Sequence, residues 1–228
     1  MLSIIIPAKN EAERISSTLE RLCFFIAKSN ANAEVIVVNN GTDATPAIVR
    51  KKKKKYSFIR LLDFPKPLGK GRAVREGLKT AKGDAVICDA DGSWQPQEIP
   101  VLVNALKNAD VVIGSRRLPR SRVYNLPLQR RLASAAFAAI VAFLFGLGVR
   151  DTQCGFKAIR RTAYKKMLPL LKVDLFEWDV ELLLVAKKLG LRVVEVPVTW
   201  HYKEGGSVSI LLAAKMLSGV LALKKRFP

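Results

Sequence analysis

Five short apolar runs, at residues 2–6, 34–38, 58–62, 84–88 and 110–113, are rich in β-branched side chains and are separated by polar turns and by stretches of helical period. Strands that alternate with helices in this way predict an α/β fold, a doubly wound and mostly parallel sheet. In such a sheet the ligand lies beyond the carboxyl ends of the strands, which directs attention to residues 7–11, 39–45 and 89–95. Pro7 is expected to stop the first strand and Asn10 to cap the helix after it. The second half differs. Residues 132–149 contain no charge, and residues 208–223 are interrupted only by Lys215. The first stretch is at the lower edge of spanning length, is rich in Ala, holds Gly146 and Gly148 and follows Arg130 and Arg131, so a buried or interfacial helix is expected rather than a span. In the second, Lys215, Ser218, Gly219, Ala222 and Arg226 share a helical face opposite Leu and Val, the pattern of an interfacial amphipathic helix. A catalytic unit over 1–206 and a membrane-interface helix over 207–228 follow. The lysine run at 51–55 reads as the solvated face of a helix.

Composition narrows the partner. Thirty-nine Lys and Arg against nineteen Asp and Glu leave a net charge of +20, so the partner is expected to be anionic. With 50% hydrophobic residues and a mean hydropathy of +0.14, the chain is no disordered basic tail. Its 228 residues suit one large domain, or a catalytic domain with a short appendage. Three scattered cysteines, Cys23, Cys88 and Cys154, form neither a disulfide framework nor a zinc pattern, and a reducing compartment is expected. The amino terminus enters a strand directly, without the features of a signal peptide. A pI of 10.2 raises nucleic-acid binding as a rival, but the basic residues are not interleaved with aromatics and no recognition motif appears.

The sharpest chemical signal is Asp89-Ala90-Asp91 at the end of the fourth run. Two carboxylates one residue apart repel one another unless a divalent cation joins them, and Mg²⁺ or Mn²⁺ held in this way completes its shell with water and phosphate oxygens. A diphosphate ligand is therefore expected. Gly69-Lys70-Gly71-Arg72 opens a helix and offers positive charge and amide groups to phosphate. It is not a dinucleotide fingerprint, because Val74 replaces the third glycine, nor a Walker loop. The turn from Asn39 to Thr45 carries short polar side chains suited to a base or ribose.

Taken in order, PAKNE, NNGTDAT, GKGRAVREGL, DADG, VVIGSRR, DTQCGFKAIRR, FEWDVELL and EVPVTW resemble an inverting family 2 glycosyltransferase of the GT-A fold. The likeness, over residues 3–208, is greatest to the branch of dolichol-phosphate mannose synthases and dolichyl-phosphate glucosyltransferases. It implies transfer of a hexose from a nucleotide sugar to a polyprenyl phosphate by a peripheral enzyme at the cytosolic membrane face. Mannose from GDP-mannose is the first expectation and glucose from UDP-glucose the alternative. The resemblance implies that Pro7, Ala8, Asn10 and Glu11 contact the nucleotide and Asn39 the base. Lys70, Asp89, Ala90 and Asp91 would serve the diphosphate and metal, with Ser93, or Gln95 in its stead, as a third metal contact. Arg116, Arg131 and Ser134 would receive the acceptor phosphate. Asp151, Gln153 and Gly155 would shape the sugar pocket, and Lys203 is the nearest late cation for the diphosphate. A phosphate acceptor is already largely dianionic at neutral pH, so no protein base is required. A nucleotidyltransferase is the nearest enzymatic rival, but it has no use for two long apolar helices. Asp179 and Glu181 could bind sugar hydroxyls or support a helix start, Trp94 could line the sugar site or the core, and His201 reads as part of an aromatic cluster.

Overall fold

The computed structural model describes residues 1–203 and 210–227. The expected boundary at 206/207, the start of the late apolar run at 208 and 209, and the Lys215 side chain lie outside the described part. In chain order the elements are β1 (Leu2–Ala8), α1 (Ala12–Lys28), β2 (Ala33–Asn39), α2 (Thr45–Lys55), β3 (Ile59–Asp63), α3 (Lys70–Thr80), β4 (Asp84–Ile87), α4 (Ile99–Ala105) and β5 (Val111–Ser115). Then follow β6 (Arg122–Tyr124), α5 (Leu128–Phe145), β7 (Lys157–Ile159), α6 (Arg161–Met167), α7 (Trp178–Lys188), β8 (Val193–Pro197), β9 (Thr199–His201) and α8 (Ile210–Arg226).

Seven strands form one sheet in the order β3-β2-β1-β4-β7-β5-β8, and β6 and β9 form a small second sheet. Every neighbour in the large sheet is parallel except β7, which runs antiparallel to both β4 and β5. Period-two alternation divides the strand side chains between two faces. Ile4, Ile6, Val35 and Val37 meet Ile15, Leu19, Leu22 and Val49 of α1 and α2 on one side. Ile5, Ile36 and Val38 meet Ala73, Val74, Leu78, Tyr164 and Leu182 of α3, α6 and α7 on the other. Both faces are covered, which is why these strands read as continuous apolar runs.

A third layer lies outside α7. Its Trp178, Leu182 and Val185 face the sheet, whereas Val180 and Leu184 pack with Val141 and Phe145 of α5 and Val220 and Leu223 of α8. Being sandwiched, α7 is buried almost all round.

Several expectations change. Pro7 does not end β1, which pairs with β2 as far as Ala8↔Asn39. Ile5 O accepts from Cys88 on the β4 side and Ala8 O from Asn40 on the β2 side, so by alternation Pro7 presents its missing donor toward β4. That ladder has already finished at Ile5↔Ile87, and the proline costs no bond. Asn10 does not cap α1; Ala12 N donates to Asp43 Oδ2 at 2.9 Å and Glu11 N to Thr45 Oγ1 at 2.9 Å. The apolar helix expected at 132–149 is α5, which starts earlier and stops at Gly146, whose left-handed φ of 54° closes the last turn. It is not a buried helix: Leu132 is 61% and Phe143 89% exposed. On α8, Ser218, Ala222 and Arg226 are exposed, whereas Gly219 faces α7. Met216, Val220 and Leu223 turn inward, a Cβ at Gly219 would lie 2.3 Å from Glu177 Oε1, and Leu221 remains exposed.

Candidate active site

The carboxyl ends of β1, β2, β4 and β5 lie along one edge of the sheet, and β7 brings its amino end to the same edge. Lys157 is level with both Ile87 and Ile113. Residues 151–156 therefore reach the edge beside the Asp89-Ala90-Asp91 turn.

That turn is bolted to α1. Ala90 O accepts from Thr18 Oγ1 at 2.9 Å and Gly92 O from Arg21 Nη2 at 2.6 Å, while Gly92 takes a left-handed φ of 67°. Asp89 Oδ1 meets Lys70 Nζ at 2.7 Å, and a Cβ at Gly155 would overlap the Asp89 carboxylate at 1.9 Å, so only glycine fits behind it. Trp94 is 1% exposed, donates from Nε1 to Asp89 O at 2.8 Å and stacks on Phe156 at 5.4 Å. It is a core residue that braces the turn. Asp91 Oδ1 accepts from Ser93 N at 3.0 Å and Ser93 Oγ at 2.7 Å. Burial would raise Asp89's pKa, but Lys70, Lys157 and Arg116 hold it below its ordinary value. Burial and the charge of Asp89 push Asp91 up. A divalent cation would relieve both penalties, and a hard pair of carboxylates with a hydroxyl beside it suits Mg²⁺ or Mn²⁺. Among the described residues no cluster of three or more acidic, His or Cys side chains is assembled in advance.

The residues expected to contact the nucleotide are close by. Glu11 pairs with Arg14 at 2.8 Å, and burial, reinforced by Asp91 and Asp89, raises its carboxyl pKa. Asn10, at φ 56°, accepts from Thr42 N at 2.8 Å and so ties the loop after β1 to the loop after β2. Pro7 and Ala8 are buried in the last turn of the ladder. Asn39, expected at the base, is buried and donates to Asp63 Oδ1 at 2.8 Å, which in turn accepts Arg50 through Oδ2 at 2.6 Å. Its neighbour Asn40 is buried with no partner on Oδ1. The amino terminus of α3 is not open to phosphate as expected: Gly71 N and Arg72 N donate to Leu175 O and Asp174 O at 3.2 and 3.3 Å. Lys70 alone carries its charge to the edge.

Of the residues expected at the acceptor, Arg116 is gripped by Asp151 through Nε at 2.8 Å and Nη2 at 2.9 Å, and it lies over the Trp200 ring at 5.3 Å. Ser134 accepts from Arg117 Nη2 at 2.7 Å, which draws the first turns of α5 to the end of β5. Arg131 is exposed on that same end of α5, and Lys203 is exposed just after β9. The DTQCGF loop is held from beneath by Lys157, wholly buried, which donates to Thr152 O at 3.2 Å, Cys154 O at 2.5 Å and the Asp179 carboxylate. Gln153 Nε2 and Thr152 Oγ1 are buried without hydrogen-bond partners. His201 stacks on Tyr124 at 4.8 Å. Asp179 thus serves Lys157, and Glu181 accepts from Lys172 N and Val173 N at 2.7 and 2.8 Å, so both are internal braces.

Sequence reasoning missed Lys157 and Arg117. The only trace of the former is a lysine inside the apolar stretch Phe156–Ile159, and Arg117 was hidden by its neighbour in the same motif.

Known proteins resemble this chain in sequence and in fold. A dolichyl-phosphate beta-glucosyltransferase of Drosophila melanogaster is 34% identical over 91% of this chain and 69% of its own length. One from Trichomonas vaginalis is 31% identical over 97% and 72%, and one from Saccharomyces cerevisiae 29% identical over 99% and 75%. Among solved structures, glucosyl-3-phosphoglycerate synthase from Mycobacterium tuberculosis, in complex with Mn²⁺, UDP-glucose and phosphoglyceric acid, superposes with a TM-score of 0.73 at 19% identity over 100% of this chain and 80% of that one, which establishes the GT-A fold. The family model described as glycosyl transferase family 2 matches residues 3–168, from the first strand to just past β7 and α6, so the carboxylate turn and the loop behind it sit within a shared frame and this chain belongs to the family 2 glycosyltransferases.

Proposed function

We propose that the chain transfers glucose from UDP-glucose, with inversion, to dolichyl or a related polyprenyl phosphate at the cytosolic face of a membrane. The observation that carries the reading is the turn at Asp89 and Asp91 with Lys70 against it, beside a loop in which Gln153 Nε2 and Thr152 Oγ1 are buried without partners. Glucose replaces the mannose first expected because the relatives above are beta-glucosyltransferases. A bound Mg²⁺ or Mn²⁺ would supply Lewis-acid stabilisation of the departing nucleoside diphosphate. Asp89, Asp91 and Ser93 would hold that ion. Lys70, whose pKa is raised by Asp89 against the cost of burial, stays protonated and opposes the charge of the diphosphate. Gly155 and Trp94 fix Asp89 from behind, so the donor site does not have to reorganise during transfer. The acceptor phosphate is its own nucleophile. Arg131 and Arg117 would receive it, and Arg116, held by Asp151, would add charge without moving. The exposed apolar face of α5, which starts at this acceptor end, supports a lipid-borne acceptor, and three free buried cysteines fit the cytosolic side.

The test is transfer of radiolabelled sugar from UDP-glucose, GDP-mannose and GDP-glucose to dolichyl phosphate in detergent with Mn²⁺. Product from UDP-glucose alone, abolished by EDTA, is expected. Product from GDP-mannose in preference would sink the glucose assignment, and no lipid-linked product from any donor would sink the acceptor.

A further inference from the structure

The segment between α6 and α7 links the carboxyl end of α8 to the carboxylate turn. At one end, Arg226 of α8 donates to Glu181 Oε1 and to Leu170 O. Glu181 has no exposed surface, and its two oxygens also accept from Lys172 N at 2.7 Å and Val173 N at 2.8 Å, so one buried carboxylate fixes the path of residues 172–173. The next carbonyls cap α3: Asp174 O and Leu175 O accept from Arg72 N and Gly71 N. Arg75 of α3 returns the contact by donating to Val173 O and the Asp174 carboxylate. There is no slack in this joint, because a Cβ at Gly69 would stand 2.2 Å from Asp174 O and one at Gly71 2.4 Å from Val173 O. The first residue of the helix so seated is Lys70, the cation on Asp89.

From this chain of contacts we infer that Arg226 and Glu181 are positioning residues for Lys70: by fixing residues 172–175 they set the amino end of α3 and hence the place of the ammonium group opposite the donor diphosphate. The inference rests on the reading of Lys70 and Asp89 as the diphosphate site. At the head of α7, the missing side chain of Gly219 lets α8 lie close against the Glu177 side chain. The carboxyl end of α8 thereby acts on the amino end of α3. Because Arg226 is at the surface and Glu181 keeps both amide bonds without it, loss of Arg226 should loosen the segment rather than unfold the protein.

The experiment compares the full chain with Arg226→Met and Arg226→Lys. Hydrogen exchange is read over residues 69–75 and 170–175, with β2 as the reference, and Mn²⁺-dependent UDP binding is measured in parallel. In Arg226→Met, exchange should rise about ten-fold in both segments but not in β2, and UDP affinity should fall about ten-fold, with Arg226→Lys recovering part of each. Faster exchange in 170–175 without a change in 69–75 overturns the inference, as does altered exchange in 69–75 with UDP affinity unchanged. Uniformly faster exchange, β2 included, also overturns it, since Arg226 would then act on global stability. Failure of the unaltered protein to bind UDP overturns the site reading, while the exchange pattern still decides whether Arg226 governs the end of α3.

Discussion

Glu34, near the start of β2, is 4% exposed and accepts from Ser3 Oγ at 2.8 Å, Lys82 N at 2.9 Å and Arg60 Nη1 at 2.7 Å. Burial opposes its charge, but these donors together hold its pKa below the ordinary value of 4.5. The unfolded chain therefore takes up the proton first as pH falls, and the stabilisation, full above the ordinary carboxylate range, disappears as pH drops through the depressed value. Glu34→Gln should cost about 2 kcal/mol at pH 7 and give a flatter loss of stability between pH 7 and 4 in denaturant titrations. An equally steep acid limb in the variant would show that other carboxylates dominate. Asp91 is the opposite case. Burial and Asp89 disfavour its charge, so Asp91→Asn should hold or raise Tm while transfer falls by about 100-fold or more. Thermal melts and transfer rates measured side by side test this, and a parallel fall in both would make Asp91 merely structural. These roles were only half legible beforehand. Asp89 and Asp91 stand out because repelling carboxylates are unusual at a strand end, whereas the fixing of Arg116 by Asp151, 35 positions away, is a consequence of tertiary geometry that no local pattern encodes.

Among the elements, α5 makes the clearest physical demand. Only 11% of its apolar window is buried, and Leu132 and Phe143 project away from the body. An apolar chain of this size gains ~1.5–3 kcal/mol on leaving water, and nothing among the described residues provides that shelter. Leu132→Ser combined with Phe143→Ser should weaken sedimentation with anionic liposomes by about 100-fold and leave Tm within about a degree. A lower Tm with unchanged liposome binding would place these residues in the fold instead. The elements that the sequence revealed are those with long or uniform signals. β1, β2 and β5 announce themselves through β-branched runs, and α2 through its solvated lysines. β7, β6 and β9 have three residues each, too few for a period to register, and β7 contains the buried Lys157. The end of α5 was misread because Leu147 and Val149 prolong the apolar composition past Gly146, where the backbone has already turned.

Across the whole molecule, the parallel frame and the edge at which ligands meet were visible from the alternation of strands and helices, but the one reversed strand was not. β7 is inserted between β4 and β5 although it follows both in the chain. That placement imposes a timetable on synthesis. As the polypeptide leaves the ribosome, β3, β2, β1 and β4 are all present by residue 87 and can pair with one another. β5, complete at residue 115, has neither neighbour until β7 arrives at 157–159 and β8 at Val193–Pro197. The half of the sheet that presents the carboxylate turn can therefore assemble early, while the half that presents Arg116 waits for the last third of the chain. Through that interval the open sides of β4 and β5 are unpaired strand edges, the kind of surface on which nascent chains associate with one another. The reversed strand that brings residues 151–156 to the carboxylate turn also makes the growing chain depend on what is synthesised late.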